Sequence, residues 1–181
     1  MLAFLGAVVL ALHAPRATAV VNGGADSSAH GASRAAAHGA NAADSLVVEK
    51  SAHRLTLYRH GAILRSYQVA LGFHPTGAKT QVGDGRTPEG VYTIDYRNPE
   101  SRYYRSLHIS YPNVADRATA AHRGVSPGGE VMIHGLPPRF AYYGHDHLQW
   151  DWTNGCVAVT DQEMDEIWAS VPVGTPIEIK P

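Results

Sequence analysis

Residues 152–171 have the sequence WTNGCVAVTDQEMDEIWASV, and this stretch decides how the second half of the chain folds. The run from Cys156 to Val159 is apolar and partly β-branched, as in a short buried strand. Thr160 and Glu163 have the spacing of a capping box, and apolar residues then recur at helical spacing until a Pro-Val-Gly stop. The stretch therefore predicts a strand that runs directly into a capped helix.

Further strands are predicted on both sides of this unit. A His60-Gly61 turn would join two of them as a hairpin, and the Gly- and Pro-rich segment 72–90 predicts a loop. The β-branched and aromatic runs are 46–49, 54–58, 63–70, 91–94, 107–110, 131–134 and 177–179. We therefore expect a mostly β domain, a β-sandwich or sheet, with one packed α-helix after the strand that carries Cys156.

Cys156 is the only cysteine of the chain. It is an inert buried thiol, one half of an intermolecular bridge or a reactive nucleophile. Gly155 before it allows the backbone to approach a substrate closely. His134, in the sequence Ile133-His134-Gly135, is a candidate base for the thiol, although its spacing from Cys156 does not prove contact. Cysteine, glycine and histidine together are the minimum for acyl transfer through a thioester.

The N-terminal part of the chain predicts export. Residues 2–12 are almost wholly apolar, and Ala17-Thr18-Ala19 fits a small-x-small cleavage site, although no lysine or arginine precedes the apolar run. We expect a signal peptide over residues 1–19, with a buried helix or an uncleaved anchor as the alternative. Residues 20–44 have the composition of a flexible linker. The domain is expected over residues 45–181.

Charge and hydropathy exclude two classes of partner. The formal net charge is −1, and lysines and arginines are scattered rather than clustered. This offers no electrostatic footprint for nucleic acid. No second long apolar segment follows the N-terminal one, so no membrane span is expected after signal removal.

Three ordered motifs resemble one known family. Ile133-His134-Gly135 followed by Thr153-Asn154-Gly155-Cys156 resembles the signature of the YkuD-type L,D-transpeptidases. Residues 83–92, GDGRTPEGVY, resemble the Thr-Pro-x-Gly-aromatic element of that family. Residues 97–99 and 106–112 resemble one envelope branch of it. Together the motifs span most of residues 45–181.

The resemblance implies a mostly β, YkuD-like catalytic domain that acts on peptidoglycan stem peptides. In that family the cysteine attacks the carbonyl of the diamino acid at stem position three and expels the terminal D-alanine. An amine then takes the thioester, which forms a 3-3 cross-link or attaches a protein, so a wall-anchored protein is a further candidate partner. Water as acceptor would give a carboxypeptidase or hydrolase. The resemblance also implies cell-wall remodelling in the periplasm or cell envelope, with no cofactor.

The family's roles are carried over residue by residue. Cys156 would be the nucleophile and His134 the base. The Gly155 and Cys156 amides would form the oxyanion site, and Gly135 would shape the loop beside the imidazole. The aromatic segment 140–150 is interpreted as a lid or substrate wall. The candidate substrate-binding residues are Thr153, Asn154, Tyr143 and Trp152.

This chain departs from the family's common form at two positions beside the nucleophile. Asn154 stands where histidine is common, and Ala158 stands where arginine is common. The second change removes a charged donor.

Two other classes of function remain open. His145-x-His147, with Asp146 and His134, offers nitrogen and oxygen ligands for zinc. A chelator would inactivate such a hydrolase, whereas iodoacetamide would inactivate a thiol enzyme. A non-catalytic module would bind peptidoglycan but would not form an acyl adduct with a carbapenem.

Overall fold

The structure is a computed structural model that describes residues 41–181. The predicted signal peptide and residues 20–40 of the predicted linker lie outside this range. The elements are β1 (Ser45–Glu49), β2 (Arg54–Arg59), β3 (Ala62–Gln68), β4 (Gly90–Ser101), β5 (Tyr104–Ile109), α1 (Val114–His122), β6 (Met132–His134), a 3₁₀ segment (Pro138–Gln149), β7 (Val157–Ala158), α2 (Asp161–Ser170) and β8 (Pro176–Lys180).

All eight strands belong to one sheet, in the order β3-β2-β1-β8-β4-β5-β6-β7. The pairs β1–β8 and β6–β7 are parallel, and the other neighbours are antiparallel. The turn at His60 and Gly61 has positive φ at both residues (51° and 75°), which suits a tight hairpin between β2 and β3. The predicted mostly β architecture is confirmed.

The two outer strands of this order approach each other beyond the end of β3. Ala70 and Ala158 exchange backbone hydrogen bonds of 3.0 and 2.8 Å. Thr153 and Leu71 add a further bond of 3.1 Å, from the Thr153 N–H to the Leu71 carbonyl. The sheet is therefore curled, and the loop that follows β3 is brought against the turn that carries Cys156.

Helix α2 packs on the sheet as the capping pattern predicts. The Thr160 N–H donates to Glu163, and the Glu163 N–H donates to the Thr160 hydroxyl, so both halves of the capping box are formed. Met164 and Ile167 are fully buried in the core. Burial of each such side chain stabilises the fold by about 1.5–3 kcal/mol.

Helix α1 was not expected from the sequence. Asn113 caps it, because its side chain accepts from the Asp116 N–H while Asp116 accepts from the Asn113 N–H. Ala120 is its one buried residue, so the helix lacks the apolar stripe from which helices are predicted. The capping pair was the available signal.

Two residues assigned to the linker contact the folded part of the chain. Ala43 is buried and its N–H donates to the Ser170 carbonyl, and the Asp44 N–H donates to the Tyr58 carbonyl. Ordered packing therefore includes Ala43, two residues before the predicted boundary. Within residues 41–181, no helix combines the length and apolar character that crossing a bilayer requires.

Candidate active site

The parallel pair β6–β7 brings the segments that carry the candidate base and nucleophile next to each other. Ile133 pairs with Val157, and His134 pairs with Ala158. Cys156 lies in the turn just before β7 and not on the strand, where the sequence had predicted it. The turn that carries Cys156 is therefore next to β6, offset by two residues from the partner of His134.

The Cys156 thiol is protonated at neutral pH in this arrangement. Burial is the largest influence on the pKa of Cys156 and raises it. A hydrogen bond from the Met132 backbone and the charge of Lys79 act in the opposite direction, and the resulting pKa is about 11. The carboxylate of Glu130 also acts to raise it, and the Glu130 carbonyl oxygen lies 3.5 Å from Sγ. A thiol attacks carbonyls only as the thiolate, so a base must take the proton.

His134 is a neutral, oriented imidazole. Its Nδ1 lies 2.7 Å from the Gly135 carbonyl oxygen. A carbonyl only accepts hydrogen bonds, so Nδ1 carries the proton and Nε2 keeps a free lone pair. Burial lowers the pKa of His134 to about 4, with a smaller lowering by His147, while the Gly135 bond acts in the opposite direction. The ring is thus ready to accept a proton through Nε2.

Two aromatic rings enclose this imidazole. The Tyr103 ring lies 4.4 Å from it between centroids, and the Trp152 ring lies 5.7 Å away in an edge-on orientation. Trp152 in turn donates from its indole N–H to Nδ1 of the buried His147, at 3.4 Å. Trp152 therefore packs beside the candidate base. Tyr103 and His147 were not singled out for such contacts from the sequence.

Thr153 braces the turn that presents Cys156. Its hydroxyl accepts from the Gly155 N–H at 3.1 Å and donates to the Cys156 carbonyl at 2.8 Å. Thr153 is buried, and its side chain holds the turn. Its contact with substrate stays a prediction. Two backbone N–H groups were predicted to bind the oxyanion. The N–H of Gly155 already donates to Thr153, whereas Thr153 does not engage the N–H of Cys156.

At two glycines, neighbouring atoms lie so close that a side chain would not fit. Gly155 has φ of +126°, and a Cβ there would overlap the Arg86 carbonyl oxygen. A Cβ on Gly135 would lie 2.6 Å from a carboxylate oxygen of Asp161. That carboxylate accepts from the Leu136 N–H at 2.7 Å and so ties the His134-Gly135 turn to the start of α2.

The remaining residues singled out from the sequence are Asn154, Tyr143 and Ala158. Asn154 is exposed at the tip of the turn. Tyr143 packs within the 3₁₀ segment, where it stacks on Tyr142 at 4.3 Å and meets Trp150 edge-on at 6.2 Å. Ala158 is fully buried, and its backbone pairs with His134 on one side and with Ala70 on the other.

Lys50, in the turn between β1 and β2, anchors the loop between β3 and β4. Lys50 is buried and donates to the Gly77 carbonyl at 2.6 Å, the Thr87 carbonyl at 3.2 Å and Glu89 at 2.8 Å. The loop is thereby held against the Cys156 turn, where Gly155 meets Arg86. The motif that contains Asp84 was recognised in the sequence. No sequence pattern indicated that Lys50, or Lys79 in the loop between β3 and β4, would be buried.

The histidines considered for zinc do not converge. Across residues 41–181, no group of three or more His, Cys, Asp or Glu side chains is arranged to hold a metal ion. His145 lies 3.3 Å from Glu163, while His147 bonds to Trp152. The candidate zinc ligands therefore make separate contacts and do not come together around one point.

Comparison with known proteins agrees with the fold and the motifs. Residues 43–179 match the YkuD family, described as the L,D-transpeptidase catalytic domain. The chain is 33% identical over 111 residues to YafK of Escherichia coli strain K12, an L,D-transpeptidase by inference, and the match covers 60% of this chain and 37% of YafK.

Two solved structures share the architecture. The helical cell shape determining protein Pgp2 of Campylobacter jejuni has a TM-score of 0.56 at 24% identity, over 75% of this chain and 47% of Pgp2. Bd1075 of Bdellovibrio bacteriovorus has a TM-score of 0.53 at 21% identity, over 77% of this chain and 48% of Bd1075. The chain thus spans about half of each structure and less of YafK.

Proposed function

The chain belongs to the YkuD family of L,D-transpeptidase catalytic domains, and from this premise we propose that it is a peptidoglycan L,D-transpeptidase acting on stem tetrapeptides through a thioester. The observation that carries the proposal is the pairing of one cysteine with an oriented base. Cys156 immediately precedes β7, whose Ala158 pairs with His134 on β6, and the bond to Gly135 leaves Nε2 of His134 as the acceptor.

In the proposed first step, Sγ of Cys156 attacks the carbonyl of the diamino acid at stem position three. The thiol has a pKa of about 11 and the imidazole a pKa of about 4, so a resting thiolate–imidazolium pair is unfavourable. Proton transfer to Nε2 therefore accompanies the attack. The Cys156 N–H donates to the oxyanion that develops, a contribution that is large where water is excluded.

In the second step, the imidazolium of His134 returns its proton to the leaving amine of D-alanine, and the thioester forms. An acceptor amine then attacks the thioester carbonyl while Nε2 removes its proton. Collapse of the tetrahedral intermediate breaks the C–S bond, and Cys156 recovers a proton from His134. The product is a new amide, and the enzyme returns to its neutral resting pair.

The decisive experiment is turnover of tetrapeptide muropeptides by the purified chain, followed by mass spectrometry. We expect loss of D-alanine and new cross-linked species, and no turnover by Cys156→Ala. His134→Gln, which should leave the thiol in place, controls for the base. Equal inactivity of wild type and Cys156→Ala would overturn the proposal.

The same chemistry supports a second candidate, an L,D-carboxypeptidase or a hydrolase that releases wall-attached protein. Water then replaces the amine at the thioester. The exposed Asn154 lies beside the nucleophile, so the environment of the acceptor differs from the family's common form. Products without a cross-link in the same assay would favour this candidate.

The two other classes are separated by inhibitors. A non-catalytic wall-binding module would bind peptidoglycan but form no carbapenem adduct on Cys156. A zinc hydrolase would lose activity in EDTA. We expect an adduct on Cys156 and full activity in EDTA.

The proposed setting is the periplasm or cell envelope, in cell-wall remodelling that affects cell shape. The predicted export signal supports this location, and the resemblance to Pgp2, named for helical cell shape, supports the role. Fractionation of cells that express the full chain tests the location. Recovery of the protein only from the cytoplasm would contradict it.

A further inference from the structure

A buried lysine in the loop between β3 and β4 lies against the turn of the nucleophile. The Lys79 side chain is 4% exposed, and its Cδ is 3.8 Å from the position that a Cβ on Gly155 would occupy. Burial of an ammonium group is costly unless it is paired. The proton transfers described above do not use this charge.

The ammonium group of Lys79 has two hydrogen-bond acceptors for its three N–H groups. Nζ of Lys79 donates to the Gln81 carbonyl at 3.1 Å and to Asp84 at 2.9 Å. Within residues 41–181 these bonds engage two of the three N–H groups that a lysine carries. One donor of this buried cation is thus not engaged by the described residues.

Asp84 keeps this cation in place. It accepts from the backbone N–H groups of Thr80, Gln81 and Arg86. Burial acts to raise the pKa of Asp84, but these bonds and Lys79 outweigh it and lower the pKa to about 2. Asp84 is therefore ionised throughout the physiological range, and the position of Lys79 is set before any substrate binds.

Lys79 is the positive charge that acts to lower the pKa of Cys156. His134 is neutral at rest, and the charged side chains that act on Cys156 are Lys79, from the loop, and Glu130, from the segment before β6. Their effects oppose each other, since Lys79 favours the thiolate and Glu130 disfavours it.

We propose that Lys79 is a fixed positive charge that stabilises the thiolate of Cys156 as its proton leaves for His134. The inference rests on the proposed role of Cys156 as the nucleophile, but it concerns the ionisation of the thiol and not the identity of the peptide substrate. Lys79 acts on the sulfur through space and accepts no proton in the reaction.

The test is the rate of Cys156 alkylation by iodoacetamide between pH 6 and 11, followed by intact mass without any peptidoglycan. We expect Lys79→Met to slow alkylation roughly tenfold at pH 8, which corresponds to a rise of one pKa unit. Lys79→Arg, which keeps the charge, should retain most of the rate. Lys50→Met is the matched control, because it removes another buried, carboxylate-paired lysine that holds the same loop.

A Lys79→Met profile that coincides with wild type would overturn the proposal. An equal slowing in Lys50→Met would also overturn it, since loop position and not charge would then be the cause. If Lys79→Met does not fold, Lys79→Gln carries the test, because it removes the charge but keeps a hydrogen-bond donor for Asp84 and the Gln81 carbonyl. It should slow alkylation as Lys79→Met does, and a rate equal to that of wild type would contradict us. Because no peptide is present, failure here leaves the muropeptide assay unaffected.

Discussion

The Tyr103 ring packs on the His134 imidazole, with centroids 4.4 Å apart and 32° between the ring planes. Tyr103 lies between β4 and β5, where its N–H donates to the Ser101 hydroxyl. Together with the Gly135 carbonyl, this ring restricts the orientation of His134, the proposed base. A base must lie within hydrogen-bond reach of the proton it removes.

Removal of the Tyr103 ring should therefore impair catalysis more than stability. For Tyr103→Leu we expect muropeptide turnover to fall by roughly tenfold or more, because small displacements of a catalytic group are costly. Tyr103→Phe keeps the ring and should remain within about twofold of wild type on that argument. Equal loss in both variants would assign the effect to the hydroxyl group instead.

Acidification should destabilise the fold through His134. The unfolded imidazole binds a proton below its ordinary pKa of 6.5, whereas the folded one resists until about pH 4. The unfolded state thus holds more protons in this window, so the free energy of unfolding falls as the pH falls from 6.5 to 4. The full effect of the shift is on the order of 3 kcal/mol.

His134→Asn provides the comparison for this measurement, because its amide can still donate to Gly135. Urea unfolding at pH 7 and pH 4.5 should show a smaller loss in the variant than in wild type. Parallel losses would mean that other groups carry the pH dependence. His147, whose pKa is also lowered by burial, remains in both proteins.

The bond between Trp152 and His147 should appear as a coupling energy. The indole N–H of Trp152 can only donate, so Nδ1 of His147 is the acceptor. The proton of the neutral His147 ring is therefore on Nε2. That nitrogen is buried and has no hydrogen-bond partner among the described residues. Trp152→Phe and His147→Leu each remove one side of the bond. We expect the double variant to be about 1 kcal/mol more stable than the sum of the single effects predicts. Strict additivity in urea unfolding would show that the bond contributes nothing.

Gly155→Ala should abolish turnover while a matched glycine substitution does not. Both Gly155 and Gly174 have positive φ, at +126° and +94°. A methyl group at Gly155 would overlap the Arg86 carbonyl, whereas at Gly174 it would meet open space. We expect Gly174→Ala to lose only about 1–2 kcal/mol of stability from backbone strain. Comparable activity of the two variants would contradict the close approach.

The predictable part of the fold was the part with a local pattern. The capped helix α2 follows from Thr160, Glu163 and the buried apolar residues behind them. Helix α1 was missed because only Ala120 of its residues is buried. The curl that joins Ala70 to Ala158 was also not predictable, since backbone pairing between distant segments leaves no spacing in the sequence.

The candidate site divides in the same way. Cys156, His134 and the two glycines were proposed from their motifs, and Thr153 was predicted to bind substrate. The structure adds that Thr153 is buried and bonded to the Gly155 N–H and the Cys156 carbonyl, within the turn. These bonds could not be predicted, because a hydroxyl side chain can bond to either a substrate or its own turn.

The amino-acid sequence by itself determined which chemical groups are present: one thiol, an imidazole beside a glycine, and a strand that leads into a capped helix. The tertiary structure alone decided their state. Burial keeps the thiol and the imidazole neutral, the Gly135 carbonyl selects the tautomer of His134, and the loop between β3 and β4 brings Lys79 to the turn of Cys156. Protonation and electrostatic coupling depend on distance and solvent exclusion, and neither quantity is encoded by spacing along the chain.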